Sequence, residues 1–368
     1  MIDRPFLGGG QINLLTLARF LDRTMFDVSV CSRDNGPLVQ TLGEEGIPHF
    51  PVAFSKRMQR GIVKDLVSLL DTHHFDILHT HGGVAGLFGR WAARRCHTSP
   101  RVIHTLHGIH YLHYRNFFLK YLYVFVERFF SRFSDAVIFV SDADRERGRR
   151  FKLAPEDKMV VIKNGINFEA FEAEASLDKQ EDDLDLGSPG PVVGTIARLH
   201  RQKGLPYLLR AAKLIRESVP ELSVWIVGGG SLFKKLKRLG EKLDLKETVH
   251  LLGERSDIAR LLSRFDVFVL PSLWEGLPYS LLEAASLAKP VVVTDIDGVR
   301  EIVEHDETGL LVPARDPERL AEAIVRLLRE REHAARLGQK LKNVTQKNFN
   351  LSQMLQKIQA LYLKLVLD

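Results

Sequence analysis

Short β-branched apolar runs alternate with longer amphipathic segments along the first half of this 368-residue chain, and no other feature constrains its fold as strongly. Apolar runs bounded by polar turns are typical of strands, and the longer segments have helical spacing. Strands that alternate with helices form parallel sheets with crossover helices. We predict strands at Phe26–Cys31, Ile77–His79, Val102–Leu106 and Ala136–Val140, and helices at Gln11–Leu21 and Val63–Leu70.

The alternation begins again after an acidic segment. Residues 171–190 hold seven Asp or Glu and one Lys and run into Gly-Ser-Pro-Gly-Pro, a composition that predicts a linker. Beyond it we predict strands at Pro191–Ile196, Ser223–Val227, Val249–Leu252, Val267–Leu270 and Val291–Thr294, and helices at Tyr207–Ser218, Leu232–Leu243, Ile258–Ser263, Ser280–Leu287, Pro317–Arg329 and Leu351–Leu365.

Two such halves predict an α/β protein of two Rossmann-like, doubly wound domains that face a central cleft. We place a first domain at 1–170, the linker at 171–190, a second domain at 191–345, and a C-terminal helix at 346–368 that can return to the first domain. Ligands of open α/β sheets bind at the carboxyl ends of the strands, so the cleft is the expected site.

Composition narrows the class of protein. Apolar residues make up 45% and charged residues 27%, as in ordinary globular proteins. The two cysteines, Cys31 and Cys96, are too few for a disulfide framework and fit a reducing compartment. Because no uncharged apolar run reaches the about 18–20 residues of a membrane span, and the first residues lack the apolar core of a signal peptide, we expect a soluble, cytoplasmic protein.

Charge is concentrated in one part of the first half. The net charge is +6, and residues 90–152 hold thirteen Lys or Arg against five acids. A basic surface attracts phosphates, nucleic acid or anionic lipid, and a solvated basic face fits the same pattern equally well.

Two segments have residues suited to holding phosphate. Gly8-Gly9-Gly10 directly precedes the first helix, where free amides and the helix dipole favour anions, although a plain turn fits equally well. Arg198 and Lys203 lie between a strand and a helix, where an Arg fork and a Lys point charge could clamp a diphosphate. Taken singly, each is more often a surface charge.

Glu275 and Glu283, separated by seven residues, are the most informative pair. Glu275 lies on a loop after a strand, and Glu283 lies among apolar residues of the next helix. An acid in such surroundings needs a partner, which ribose or sugar hydroxyls would supply.

Histidines are concentrated early in the chain, with nine of fourteen between His73 and His113. No Cys or carboxylate completes a metal-ligand set, so we predict no metal site. A neutral histidine at a strand end, acting as a hydrogen-bond donor or acceptor, fits His107 better.

In order along the chain, these segments resemble the retaining glycosyltransferases of family four, also called group 1, which have the GT-B fold. The resemblance covers Gly8 to about Arg329 and rests on Gly8–Gln11, His107-Gly108, Asn164–Asn167, Arg198 to Gly204, Gly228-x-Gly230, Glu275-x7-Glu283, Pro290–Val303 and Thr308–Val312. It is specific for the superfamily and says little about the substrate.

The resemblance implies that 1–170 is the acceptor-side domain and that 191–345 is the nucleotide-sugar-binding domain. It also implies roles for individual residues. Arg198 and Lys203 would hold the diphosphate of a nucleotide-sugar, and Glu283 would bind the ribose. Glu275 and His107 would bind the donor sugar. Further donor contacts would come from the loops that contain Gly8, Gly9 and Gly10, Gly253 and Arg255, and Gly276, Leu277 and Pro278.

The function that this resemblance implies is transfer of a hexose-type sugar, with retention, from a nucleotide-diphospho-sugar, most simply a UDP-sugar. The acceptor would be a glycan or a lipid-linked glycan in cell-surface polysaccharide or lipopolysaccharide synthesis. With no metal or other cofactor expected, cations and helix dipoles would stabilise the leaving diphosphate. No nucleic-acid partner is expected. A GT-B nucleotide-sugar epimerase and a catalytically impaired nucleotide-sugar-binding protein remain as alternatives.

Two segments raise separate questions. Family members begin with a strand, but only Met1–Leu7 precede the glycines, so the first strand is expected to be missing or truncated.

Residues 113–133 are aromatic and basic at helical length. They fit either a helix with one buried face, which we favour, or peripheral contact with an anionic membrane.

Overall fold

The computed structural model describes residues 1–3, 8–54, 59–177 and 190–368. The chain divides into two compact units. The first comprises Met1–Asn164 together with Ser352–Asp368, and the second comprises Gly165–Leu351. In the part of the chain that is described, no helix is both long enough and apolar enough to cross a bilayer.

The first unit has two parallel sheets. Strands β1 and β2 pair with each other, and β3-β4-β5-β6 form a four-stranded sheet in that order. The elements are α1 (Gly9–Phe20), β1 (Val30–Ser32), α2 (Pro37–Glu44), β2 (His49–Pro51), α3 (Gln59–His73), β3 (Ile77–His81), α4 (Gly83–Ala93), β4 (Arg101–Leu106), α5 (Phe117–Ser131), β5 (Ala136–Phe139), α6 (Asp142–Arg150) and β6 (Met159–Val161).

The first residues occupy the position of a strand between these two sheets. The Ile2 amide donates to the Cys31 carbonyl at 3.0 Å, and the His81 amide donates to the Met1 carbonyl at 2.9 Å. Ile2 also forms an isolated parallel bridge with His81. Met1 and Ile2 therefore connect β1 to β3 where the sequence led us to expect a missing strand; residues 4–7 lie outside the described part.

The second unit is built on one six-stranded parallel sheet in the order β12-β11-β10-β7-β8-β9. Strands β8, β10 and β11 are buried along their whole length, as expected for a sheet covered by helices. The elements are α7 (Phe168–Ser176), β7 (Val192–Ile196), α8 (Leu205–Ser218), β8 (Ser223–Val227), α9 (Phe233–Lys242), β9 (Val249–Gly253), α10 (Ile258–Ser263), β10 (Val267–Leu270), α11 (Tyr279–Ser286), β11 (Val291–Thr294), α12 (Asp297–Arg300), β12 (Leu310–Val312), α13 (Pro317–Arg329) and α14 (Arg331–Asn348).

The last helix, α15 (Leu351–Leu367), belongs almost entirely to the first unit. The hydroxyl of its Tyr362 lies 2.5 Å from Nδ1 of His79 in β3. Tyr362 also packs edge-on against Phe26.

The structure corrects three expectations. The strand predicted at Phe26–Cys31 is reduced to Val30–Ser32, because the amide of Phe26 closes a turn onto the Asp22 carbonyl. The linker predicted at 171–190 begins inside α7, which the Asn167 side chain caps and whose Phe168 is buried; residues 178–189 lie outside the described part. The sequence pattern also failed to predict α14, because its buried face includes Gly338 and Thr345 and so has a weak apolar periodicity.

Helix α5 is held to the first unit by a buried ion pair. Nη1 of Arg90, in α4, lies 2.6 Å from Oε1 of Glu127, and both side chains are buried. Nε of Arg90 also donates to the Gly86 carbonyl at 2.7 Å. The pair fixes α5 by directional bonds rather than by apolar packing alone.

We expect Arg90→Met to destabilise the protein by about 3–5 kcal/mol, because it leaves the Glu127 carboxylate buried without its partner. The double variant Arg90→Met/Glu127→Met should recover most of this loss, since no buried charge remains. Urea unfolding of the three proteins measures both effects. A single variant as stable as the parent would contradict the role given to the pair.

Candidate active-site residues

The order of strands in the second sheet defines where a ligand should bind. The chain runs from β7 to β8 and β9 on one side of the sheet and then returns to β10 on the other side of β7. The loops that follow β7 and β10 therefore lie side by side at the carboxyl edge of the sheet, where the direction of the chain across the sheet reverses. Open α/β sheets bind their ligands at such a reversal.

A half-buried cation and a buried carboxylate meet at this point. Nζ of Lys203, from the loop after β7, lies 2.6 Å from Oε1 of Glu275, from the loop after β10. The Ser272 hydroxyl donates to the same oxygen at 2.6 Å, and the Gln202 amide donates to Oε2 at 3.1 Å. Both oxygens of Glu275 thus have donors, which fixes the carboxylate and the ammonium beside it.

The backbone around Lys203 explains this close approach. Arg201–Lys203 form a 3-10 turn that ends at Gly204, whose φ of 62° lies in the left-handed region. A Cβ on Gly204 would lie 1.8 Å from the Pro271 carbonyl oxygen, so only glycine lets the β7 loop touch the β10 loop. The Leu273 amide donates to the Gln202 carbonyl at 2.7 Å and joins the two loops.

Arg198 lies on the same β7 loop, five residues before Lys203, and its side chain is exposed. Neighbouring amides hold its backbone, because Ala197 donates to the Val227 carbonyl and Leu199 donates to the Gly229 carbonyl. The loop that contains Gly228 and Gly230 thus supports the segment from which Arg198 projects.

Glu283 lies in α11, the helix that follows the Glu275 loop. Gly276, Leu277 and Pro278 form a buried connection from Glu275 to α11, and Glu283 is half-buried in that helix. Burial, together with the negative charge of Glu174 in α7, raises the pKa of the Glu283 carboxyl to about 7, and Lys203 partly opposes the increase. Glu283 therefore shares its surroundings with the cation that pairs with Glu275.

Gly253 and Arg255 lie at the end of β9, the edge strand of the sheet. The Arg255 guanidinium makes two 2.8 Å hydrogen bonds to the Asp257 carboxylate. These bonds hold the pKa of Asp257 below its ordinary value. Arg255 is thus oriented by an ion pair of its own, separate from the Lys203–Glu275 pair.

In the first unit, His107 lies against the start of α1. A Cβ at position 10 would lie 3.2 Å from Cδ2 of His107, so the ring covers the helix turn that begins at Gly9. Gly8 precedes the helix, and its carbonyl accepts from the Ile12 amide at 2.9 Å. The structure thus places the three glycines and His107 together within this unit.

His107 is also paired with a second histidine. Its Nε2 lies 2.9 Å from Nδ1 of His81, and the two rings stack. Burial lowers the pKa of His107 to about 3 and that of His81 well below its ordinary value, so both are neutral at pH 7. Nδ1 of His107 is buried without a hydrogen-bond partner, which leaves one ring nitrogen for a ligand.

Two further histidines of the cluster have structural partners. His79 lies between Thr105 and Tyr362, and Nδ1 of His104 lies 2.8 Å from the Thr80 hydroxyl. Among the described residues, no three His, Cys, Asp or Glu side chains are grouped so that they could hold a metal ion.

Three residues of the second unit were not singled out from the sequence. Gln202 and Ser272 bind the Glu275 carboxylate, and Glu174 acts on Glu283 from α7. Gln202 lies inside the motif from Arg198 to Gly204, so its place near the site could have been predicted from the sequence. No sequence signal connects Glu174 to Glu283, because Glu174 lies within residues 171–190, which we expected to form a linker.

Solved structures share this architecture. The crystal structure of Anabaena HepE in complex with UDP and glucose superposes with a TM-score of 0.83 over 98% of each chain at 22% identity. The fold is therefore that of the GT-B glycosyltransferases, as the sequence predicted.

Family models and curated relatives identify the chain further. The Glycosyltransferase Family 4 model matches residues 7–170, and the model for group 1 glycosyl transferases matches residues 178–344. An Escherichia coli UDP-Gal:alpha-D-GlcNAc-diphosphoundecaprenol alpha-1,3-galactosyltransferase is 31% identical over 99% of this chain and 96% of its own. A Campylobacter jejuni N,N'-diacetylbacillosaminyl-diphospho-undecaprenol alpha-1,3-N-acetylgalactosaminyltransferase is 34% identical over 54% of this chain and 52% of its own. The chain belongs to the group 1 glycosyltransferases, which confirms the resemblance in its sequence.

The raised pKa of Glu283 predicts a pH-dependent stability. Because the pKa rises from 4.5 to about 7 on folding, the folded protein binds more protons than the unfolded chain between these values. Its stability should therefore fall as pH rises through this window, by up to about 3 kcal/mol. Glu283→Gln cannot ionise and should lack this component.

Urea unfolding of the parent and of Glu283→Gln at several pH values between 4.5 and 8 measures the difference. The stability of the variant relative to the parent should increase with pH and level off above about 7. A constant difference across the range would mean that Glu283 titrates normally.

Proposed function

We propose that the protein is a retaining glycosyltransferase that moves a hexose-type sugar from a UDP-sugar to a glycan or lipid-linked acceptor. It would act in cell-surface polysaccharide or lipopolysaccharide synthesis, at the cytoplasmic face of a membrane and in peripheral contact with anionic lipid. The full-length similarity to a galactosyltransferase named for UDP-Gal and a diphosphoundecaprenol-linked acceptor supports this choice of donor and acceptor.

The observation that carries the proposal is the Lys203–Glu275 pair at the strand reversal. A leaving nucleoside diphosphate gains negative charge as the sugar–phosphate bond breaks, and preorganised cations stabilise that charge. The ammonium of Lys203 has three N–H groups, so it can keep its bond to Glu275 and still donate to a phosphate oxygen. Glu275 then orients the cation and lies ready to accept sugar hydroxyls.

Other residues complete the donor site in this proposal. Arg198 adds a second, exposed cation from the same loop as Lys203. The Glu283 carboxylate accepts the ribose hydroxyls, while Gly253 and Arg255 contact the nucleobase. In the first unit, the amides at Gly8–Gly10 approach the phosphates, and the unpartnered Nδ1 of His107 hydrogen-bonds the donor sugar.

The reaction that we propose needs no metal ion. The two cations and the helix dipole at Gly9 supply the positive charge that a divalent ion supplies elsewhere. The acceptor hydroxyl attacks the anomeric carbon on the face that the diphosphate leaves, and the departing phosphate oxygen takes the proton. This front-face route retains the configuration without a carboxylate nucleophile.

The first experiment is a donor panel. UDP-, GDP- and ADP-sugars are offered with N-acetylglucosaminyl-diphospho-undecaprenol, with and without EDTA, and nucleotide release and product are measured. We expect transfer from a UDP-hexose, unaffected by EDTA, with the anomeric configuration retained in the NMR coupling of the product. Inversion or loss of transfer in EDTA would contradict the mechanism, and an epimerised nucleotide-sugar would indicate an epimerase.

The second experiment removes the cation. Lys203→Ala should lower kcat by about 100-fold or more with a smaller change in KM, because the ammonium acts on charge that develops during bond breaking. Lys213→Ala, which removes an exposed lysine from α8, is the matched control and should react like the parent.

The lysine variant also leaves Glu275 without its cation, so a double variant separates folding from chemistry. Lys203→Ala/Glu275→Gln removes the stranded negative charge and should regain stability while remaining as slow. Turnover at the parental rate in either variant would refute the role of Lys203.

A further inference from the structure

Helix α5 buries mainly polar residues and exposes apolar ones, which is the reverse of a helix packed on a protein core. Its buried positions are Val124, Glu127 and Ser131, which form one narrow stripe along the helix. Two of these three residues are polar, and Glu127 is held by the ion pair with Arg90. An amphipathic helix of a globular protein normally turns its apolar stripe inward.

The outer surface of α5 is aromatic and aliphatic. Phe118 is 84% exposed and Phe125 is 65% exposed. Their exposed apolar neighbours on the helix are Phe117, Leu119, Tyr121, Leu122, Tyr123 and Phe129. With 100° per residue, these positions cover most of the helix circumference outside the buried stripe. Soluble proteins rarely expose so continuous an apolar surface unless it binds something.

Positive charge surrounds this apolar surface. Arg115 precedes the helix, Arg128 is exposed near its end, and Arg132 follows it. The Phe151 segment at the end of α6 packs beside α5, because its carbonyl accepts from Arg128 and its ring lies 5.3 Å from Nζ of Lys120. The only acid on α5 is the buried, paired Glu127.

We infer that α5 is a membrane-docking helix that inserts its aromatic outer face into the surface of an anionic bilayer. Aromatic and aliphatic side chains enter the headgroup boundary, while the surrounding Lys and Arg bind lipid phosphates. This assignment rests on the proposed function in one respect: a lipid-linked acceptor lies in that bilayer. A protein partner fits less well, because a groove binds one stripe of a helix, whereas here most of the circumference is apolar.

The buried ion pair gives the docking helix its orientation. Arg90 and Glu127 hold the inner stripe of α5 before any lipid is present. The residues from Phe117 to Phe125, about two and a half turns, contribute one buried side chain, Val124, and expose every apolar side chain among the others. These turns can therefore enter a bilayer surface without any rearrangement of the first unit.

The test is co-sedimentation of the full chain with vesicles. The parent should bind vesicles of equal parts phosphatidylglycerol and phosphatidylcholine and bind pure phosphatidylcholine much more weakly, and added salt should weaken binding. Phe118→Ser/Leu122→Ser/Phe125→Ser should lower binding to the anionic vesicles at least tenfold. Because all three side chains are exposed, circular dichroism and thermal unfolding of the variant should match the parent.

A matched control removes exposed apolar surface elsewhere in the same unit. Met25→Ser/Leu367→Ser changes residues that are 55% and 82% exposed but lie outside α5, and it should bind vesicles like the parent. The inference is overturned if the parent ignores anionic vesicles, if neutral vesicles bind equally well, or if the triple variant still binds. Self-association of the parent that disappears in the triple variant, without vesicle binding, would identify α5 as a contact between copies of the chain.

UDP binding separates this inference from the proposed function. The triple variant should bind UDP in vesicle-free buffer with the parental affinity, because its substitutions lie in the first unit outside the donor site proposed above. Vesicle binding by a parent that binds no UDP would refute the proposed function and leave the docking helix standing. UDP binding and transfer by a parent that ignores anionic vesicles would refute the docking helix alone.

Discussion

The second unit depends on where its chain reverses direction across the sheet. Because β7 and β10 are neighbours while the chain leaves them in opposite directions across the sheet, the loops that follow them meet at its carboxyl edge. Lys203 and Glu275 come from these two loops, and Nζ of Lys203 lies 2.6 Å from Oε1 of Glu275. A parallel sheet thus brings together residues that lie 72 positions apart in the chain, and a single glycine at 204 permits the contact.

The sequence pattern predicts the second unit better than the first. Its strands are buried β-branched runs with clear turns between them, so the predicted Val267–Leu270 and Val291–Thr294 agree with β10 and β11. In the first unit, β1 and β2 are only three residues long, and a strand of that length is decided by its partner rather than by its own sequence. This is why the prediction at Phe26–Cys31 was too long.

Site residues that belong to a sequence motif could be predicted. Residues that join the site only because the fold buries them beside it could not. Lys203, Glu275 and Glu283 follow from spacing and from the resemblance, but the Ser272 hydroxyl and the charge of Glu174 reach the site only through folding. Helix α5 shows the same limit. From its sequence, either face of this helix could be the buried one. Only the burial of Glu127 against Arg90 shows that the aromatic face is turned outward.

The buried histidines of the first unit and the Glu283 carboxyl of the second respond to acid in opposite senses. In the first unit, His79, His81, His104 and His107 are neutral because burial lowers their pKa values, so below about pH 6.5 protons bind the unfolded chain more readily and favour opening of this unit. In the second unit, Glu283 takes up a proton as pH falls and loses a charge that burial opposes. Mild acid therefore opposes the folded state at these histidines of the first unit and favours it at Glu283 of the second.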